Sequence, residues 1–204
     1  FLAVVTSNDY LIGAEALFGS IRATGSSRKR VLMVTPQCAA LQRHGLLDEI
    51  VAVEPIAIPA AAEVPQHVRA WAEVGYTKLR IWSLIQYRKV VYVDADALVD
   101  ENVDELFDLP TDFAAAPDIH PPDRFNAGVM VLTPSEAVLE EMLGRTATTA
   151  TYDGGDTAGF LNAFFPDWFS GPAAGRLPFR YNAQRTMYWN THERNPEYWK
   201  AVQP

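Results

Sequence analysis

Asp94 and Asp96 close the apolar run in "KVVYVDADALV", residues 89–99. Carboxylates at the end of a buried strand are costly unless something positive meets them. Two residues apart, they would point the same way on a regular strand, and at its end they can converge. Hard oxygen donors of this kind suit Mg²⁺ or Mn²⁺, which keep sites for water and phosphate oxygens. Such a cation would neutralise the pair and bridge it to a nucleotide diphosphate. The alternative is a solvated turn in which Asp94 or Asp96 caps the next segment. An isolated D-x-D does not decide between them.

The elements around the pair spell an α/β chain. "FLAVVT" (Phe1–Thr6) and "RVLMVT" (Arg30–Thr35) read as strands. Between them Ala14, Leu17, Phe18 and Ile21 repeat at helical spacing, and Gly25 with nearby basic residues ends that helix. Strand, helix and strand in this order predict a βαβ unit and hence a parallel sheet. A helix is expected around Ala39–His44, a short strand at Ile50–Val53, and a Pro/Ala-rich loop after it. Leu79, Trp82 and Ile85 predict a helix over 76–86, leading into the "KVVYV" strand. "FAAAP" and "AGVMVL" (Ala127–Leu132) read as further buried strands. Thr133-Pro134-Ser135-Glu136 has the form of a capping box with Pro in the first turn, opening a helix to about Leu143. Another helix is expected to be capped near Asp156. The aromatic, Pro-rich C-terminal third has no clear periodicity.

Composition narrows the function. With 204 residues the chain suits one substantial domain, and its 49% hydrophobic, 21% charged make-up is that of a globular protein. A net charge of -8 argues against a nonspecific nucleic-acid binder. The single cysteine, Cys38, rules out an internal disulfide and a cysteine-based metal site and is compatible with a reducing compartment. No apolar run is long enough to span a membrane. The chain begins inside a strand-like run without Met, as a piece of a longer product would.

Several segments occur in a characteristic order: "VVTSNDYLIGA", "YTKLRIWSLIQY", "VVYVDADALV", "NVDELFDLP", "FNAGVMVLTPS", "YDGGDTAGFLNAFFPDW" and "LPFRYN". No single one is specific. As an ordered set they closely resemble the glycogenin-like glycosyltransferases, glycosyltransferase family 8, over nearly the whole chain. The resemblance implies a GT-A fold: a single Rossmann-like nucleotide-binding domain over residues 1–204, with a mixed, mostly parallel sheet. It implies transfer of a hexose from a UDP-sugar, UDP-glucose foremost, to an acceptor hydroxyl with retention at the anomeric carbon. Mn²⁺, with Mg²⁺ as the substitute, would be held by Asp94 and Asp96 against the diphosphate, and the backbone of Ala95 would lie beside the ribose.

By the same resemblance Thr6, Asn8 and Tyr10 would grip uracil and ribose. A hydroxyl, an amide and an aromatic ring fit that task, although they also fit an N-cap and a core tyrosine. Lys78 matches the lysine near the donor sugar and phosphates. Arg69 lies in a segment that aligns poorly. Asn126-Ala127-Gly128 resembles the tripeptide that contacts the hexose, the amide reading hydroxyls and the glycine permitting close approach. Asp153-Gly154-Gly155-Asp156 resembles the D-G-G-D in which Asp153 binds donor hydroxyls, Gly155 lies at the donor, and Asp156 stands near the reacting carbon. Asp153 and Asp156 are therefore the expected catalytic residues. A front-face ion-pair route is preferred to a double displacement on Asp156.

Two departures stand out. Thr157 replaces the glutamine that commonly follows the second aspartate, which leaves open the group under the anomeric carbon and the hexose chosen. The family's H-x-x-G-x-x-K-P-W segment, which supplies a third metal ligand, is not found; His192 comes too soon after "YN". The motif is expected just past Pro204, so the domain is read as truncated before it. A glycoside hydrolase would need neither D-x-D nor a nucleotide pocket. A noncatalytic UDP-sugar or metal-binding domain of the same fold is the surviving alternative. Glycan, inositol-type and protein acceptors, a homodimer, and a cytoplasmic or Golgi setting all remain compatible with the motifs.

Overall fold

The structure is a computed structural model that describes residues 1–38, 45–57, 75–119, 123–151, 157–191 and 196–197. Among these, six strands form one sheet in the order β3-β2-β1-β4-β6-β5. They are β1 (Leu2–Val5), β2 (Val31–Val34), β3 (Glu49–Ala52), β4 (Val90–Val93), β5 (Phe113–Pro117) and β6 (Phe125–Leu132). The pairs β1–β2, β2–β3 and β1–β4 are parallel. β6 runs antiparallel to both β4 and β5, with an irregularity between Ala115 and Pro117. The α/β class and the mixed, mostly parallel sheet expected from the sequence are both present.

Near-continuous apolar strands are what a sheet covered on both faces requires. Along β1 and β2, Leu2, Val31 and Met33 enter one core cluster, while Ala3, Val5, Leu32 and Val34 enter the other. Helix α1 (Leu11–Ala23) covers the second face with Ala14, Leu17, Phe18 and Ile21, all buried. It ends where Gly25, at φ +78, donates its N–H to the Arg22 carbonyl at 3.1 Å, a conformation glycine adopts without a Cβ penalty.

The first face is covered by a 3-10 helix, Tyr76–Ser83, together with α2 (Glu136–Arg145) and α3 (Thr157–Phe164). Three residues per turn bring Tyr76, Leu79 and Trp82 onto one side, and all three are buried. The expected helix over 76–86 is thus shorter and tighter. The backbone leaves it at Leu84 (φ -81, ψ 52), so Ile85, expected to pack, is 58% exposed.

Helix α2 also starts later than its capping-box reading. Ser135, not Thr133, is the N-cap: its Oγ accepts the Val138 N–H at 3.4 Å, and its own N–H donates to the Trp82 carbonyl. Thr133 instead bonds Asp112, finishing the β5–β6 edge, so Pro134 precedes the helix rather than occupying its first turn. Helix α4 (Arg185–Thr191) lies in the C-terminal third, and at seven residues it is too short to show a period. The helix expected around Ala39–His44 and the cap at Asp156 lie outside the described residues.

Two packing contacts set the position of the site. The Asn162 side chain of α3 accepts from the Phe125 N–H at 3.0 Å and donates to the Phe125 carbonyl at 2.9 Å, tying α3 to the start of β6. At Gly13 in α1, an added Cβ would lie 2.4 Å from the Ala95 carbonyl oxygen, so glycine lets α1 rest directly on the turn after β4. Asn162→Ala should destabilise the protein by about 1–3 kcal/mol in urea unfolding, because backbone groups beside a buried Phe125 lose their partners. Gly13→Ala should cost about 1–3 kcal/mol in the same assay by forcing α1 off that turn, with UDP affinity falling as the turn shifts.

Candidate active site

Parallel sheets open a crevice where consecutive connections leave in opposite directions. Here the chain passes from β1 to β2 and β3 on one side, then returns to place β4 on the other side of β1. The loops after β1 and β4 therefore flank the switch point. The first holds Thr6, Asn8 and Tyr10; the second holds Asp94, Ala95 and Asp96. β6, antiparallel to β4, brings its first residues Asn126, Ala127 and Gly128 to the same end.

The aspartate segment is a tight turn. The Asp94 N–H donates to the Gly128 carbonyl at 2.8 Å, and the Ala97 N–H closes the turn on the Asp94 carbonyl at 3.1 Å. Ala95 is buried under α1, while Asp96 is exposed. The positive partner of Asp94 is Lys78. Its Nζ stands 2.9 Å from Asp94 Oδ1, also donates to the Ala127 carbonyl at 3.2 Å, and lies 4.9 Å from the centre of the Tyr92 ring. The Tyr92 hydroxyl donates to the same Asp94 Oδ1. Burial, then the charge and hydrogen bond of Asp94 and the charge of Asp96, hold the Tyr92 phenol well above its ordinary value, so it remains a donor. Lys78 thus reaches the acid pair from the 3-10 helix, Tyr92 from within the strand.

Asn126 is more enclosed than its expected role as a reader of sugar hydroxyls implies. Its Oδ1 accepts from the Gly128 N–H and from Asn182 Nδ2, both at 2.8 Å, and its Nδ2 donates to Asp118 Oδ2 at 3.2 Å. Gln184 Nε2 donates to Asp118 Oδ1 at 3.4 Å. Asp118, Asn182 and Gln184 belong to none of the site motifs of the sequence, yet they enclose Asn126. Asp118 carried the same signal as Asp94, a carboxylate one step past a buried strand, and Asn182 ends the "LPFRYN" segment. A Cβ added at Gly128 would come within 2.9 Å of Asn126 Oδ1 and 3.3 Å of both Asn182 Nδ2 and Asp94 Oδ2, so the glycine is what lets these groups approach one another.

In the loop after β1, the Thr6 carbonyl accepts from Thr35 Oγ1 at 3.3 Å. Asn8 and Tyr10 form a 3-10 turn leading into α1 and are exposed, Tyr10 by 47%. A core role for Tyr10 is thereby overturned, and its ring is accessible. Asp153, Gly155, Asp156, Arg69 and His192 lie outside the described residues, where α3 resumes at Thr157.

The donor set fits a small divalent cation. Asp94 and Asp96 stand two residues apart on the turn that the Ala97 N–H closes on the Asp94 carbonyl, and Lys78 pairs with one of these two carboxylates. Among the described residues, no group of three or more His, Cys, Asp or Glu side chains is placed to hold a metal. The remaining positions would fall to water, diphosphate oxygens or a residue elsewhere.

The chain is 37% identical over 185 residues to human glycogenin-1, covering 89% of this chain and 52% of that protein. It is 38% identical over 185 residues to glycogenin-1 of Caenorhabditis elegans, covering 89% and 43%. Inositol phosphorylceramide glucuronosyltransferase 1 of Arabidopsis thaliana is 33% identical over 205 residues, covering 92% and 37%. The chain thus spans about half the length, or less, of these curated relatives. The apo form of the glycosyltransferase GlyE of Streptococcus pneumoniae superposes with a TM-score of 0.66 at 18% identity, over 100% of this chain and 51% of that one. The galactosyltransferase LgtC, in complex with donor and acceptor sugar analogs, gives 0.58 at 18% identity, over 87% and 73%. These likenesses establish the GT-A fold. A family model described as glycosyl transferase family 8 matches residues 1–201, and the chain belongs to that family.

Proposed function

We propose that the protein transfers a hexose from a UDP-sugar to an acceptor hydroxyl, with retention and with Mn²⁺ as cofactor, UDP-glucose being the first donor to try. The observation that carries this reading is the Asp94–Lys78 pair beside Asp96 at the sheet's switch point, flanked by the loop after β1 and the start of β6. Asp94 and Asp96 would hold the cation. When bound, it supplies Lewis-acid stabilisation of the departing diphosphate.

The chain's own groups do the rest. Lys78 adds a preorganised positive charge at the same place. Exposed Tyr10, with Asn8 and Thr6, offers a ring and polar groups to uracil and ribose, and the Ala95 backbone faces the ribose. Gly128 keeps side-chain bulk out of the space beside Asp94. Asn126, fixed by three internal hydrogen bonds, holds Ala127 and Gly128 in place rather than reading the sugar by its amide. Asp153, Gly155 and Asp156 are assigned to the hexose on the family resemblance alone, which would put Asp156 near the reacting carbon. The relatives differ by name, glycogenin-1 beside an inositol phosphorylceramide glucuronosyltransferase. A glycan, an inositol-type headgroup and a protein hydroxyl are accordingly the acceptors to try. Thr157 in place of glutamine favours a second reading, a noncatalytic UDP-sugar and metal-binding domain.

Full-length protein with Mn²⁺ and a panel of UDP-sugars separates these. Turnover of UDP-glucose or a close relative is expected, falling at least about a hundredfold with chelator or in Asp96→Ala. Asp96 is the better site to change because it is exposed, whereas removing Asp94 would strand Lys78. Thermal stabilisation by UDP and Mn²⁺ without turnover would establish the binding domain instead; absence of both would refute the reading.

A further inference from the structure

We infer that Tyr92 is a positioning residue that dedicates the Oδ2 oxygen of Asp94 to the cation. This deepens the proposed function and rests on its assignment of Asp94 and Asp96 as cation ligands. The two oxygens of Asp94 have different surroundings. Oδ1 receives both the Tyr92 hydroxyl and the Lys78 ammonium. The hydrogen bond and the close ion pair to this carboxylate, among the described residues, both fall on that oxygen. Oδ2 instead faces the space left by the missing side chain of Gly128, 3.3 Å from where a Cβ would stand.

A carboxylate with one oxygen saturated by two donors cannot rotate to offer that oxygen without breaking both contacts. Its other oxygen is left to coordinate, singly and in one orientation. Tyr92 is suited to impose this because its ring is buried within the first core cluster, so the packed ring fixes where its hydroxyl points. Lys78 rests against the face of that ring and against the Ala127 carbonyl, so the phenol orients the cationic partner as well. Groups that orient a metal ligand in this way typically contribute 10–100-fold in metal affinity.

The geometry also separates Tyr92 from the ligands themselves. Tyr92→Phe removes one oxygen and keeps the ring that fills the core and supports Lys78. Gly128→Ala would crowd Asp94 Oδ2, 3.3 Å away, along with Asn126 Oδ1 at 2.9 Å and Asn182 Nδ2 at 3.3 Å, and leaves the Tyr92 hydroxyl in place. Both changes are therefore expected to weaken the same property from opposite sides of one carboxylate.

Mn²⁺ affinity in the presence of UDP, measured on full-length protein by calorimetry or by the Mn²⁺ resonance signal, tests this without turnover. Tyr92→Phe is expected to bind Mn²⁺ about 10–100-fold more weakly than the wild type, with a metal-free melting temperature within a few degrees of it. Gly128→Ala is expected to weaken binding to a similar degree, and serves where Tyr92→Phe lowers the melting temperature. If either variant binds within twofold of the wild type while Asp96→Ala loses binding, the positioning role is overturned and the cation site stands. If Asp96→Ala binds as the wild type does, the cation site itself is refuted.

Discussion

Everything at the business end of this sheet depends on how one carboxylate is satisfied at the end of β4. Asp94 leaves a strand whose four residues are all buried, and its own side chain, 35% exposed, is only partly solvated and gains from partners. Lys78 and Tyr92 supply them, one from the helix packed on the sheet and one from the strand itself. Pairing and hydrogen bonding make the charge tolerable without neutralising Asp96 beside it. The residual negative charge is a property of the fold, present before any ligand arrives.

That interaction is possible only because the surrounding elements come close. α1 lies on the Ala95 carbonyl where Gly13 has no side chain, and β6 approaches Asp94 where Gly128 has none. The 3-10 helix directs Tyr76, Leu79 and Trp82 into the core and leaves Lys78 on the flank that meets Asp94. Had the segment been the α-helix that the sequence suggested, the angular relation between Lys78 and its buried neighbours would have been different. On the other flank, Asn162 fixes the start of β6, and the Asp118–Asn126–Asn182 cluster stiffens its next turn of chain. Rigid support of this kind is what a site built to stabilise a developing charge requires.

The sequence carried the sheet because strands buried on both faces need long apolar runs, and β1, β2, β4 and β5 are such runs. It carried α1 for the same reason, through Ala14, Leu17, Phe18 and Ile21. It was less informative where two local rules compete. Thr133 and Ser135 both look like helix caps, and only the bond from Ser135 to the Trp82 carbonyl, a tertiary contact, decides for the latter. Leu79, Trp82 and Ile85 fit either helix type, and the point at which the helix ends decides whether Ile85 is buried. At the site, D-A-D was visible as a strand end and the resemblance brought Lys78 to the same phosphates, but the direct contacts of Lys78 and Tyr92 with Asp94 were not visible. A lone lysine in "TKLR" and a tyrosine within a strand give no sign that they meet on one oxygen. The enclosure of Asn126 was equally hidden, since Asp118 and Asn182 come from segments 8 and 56 residues away.

The central claim is that a divalent ion bridges this acid pair and the diphosphate of a UDP-sugar. Anomalous diffraction at the manganese edge, from crystals of the full-length protein grown with UDP and Mn²⁺, tests it most directly. The account requires a single strong peak within coordination distance of both Asp94 and Asp96 and of diphosphate oxygens. Well-ordered UDP in the crevice with no peak there, or with manganese held by other residues, would contradict it.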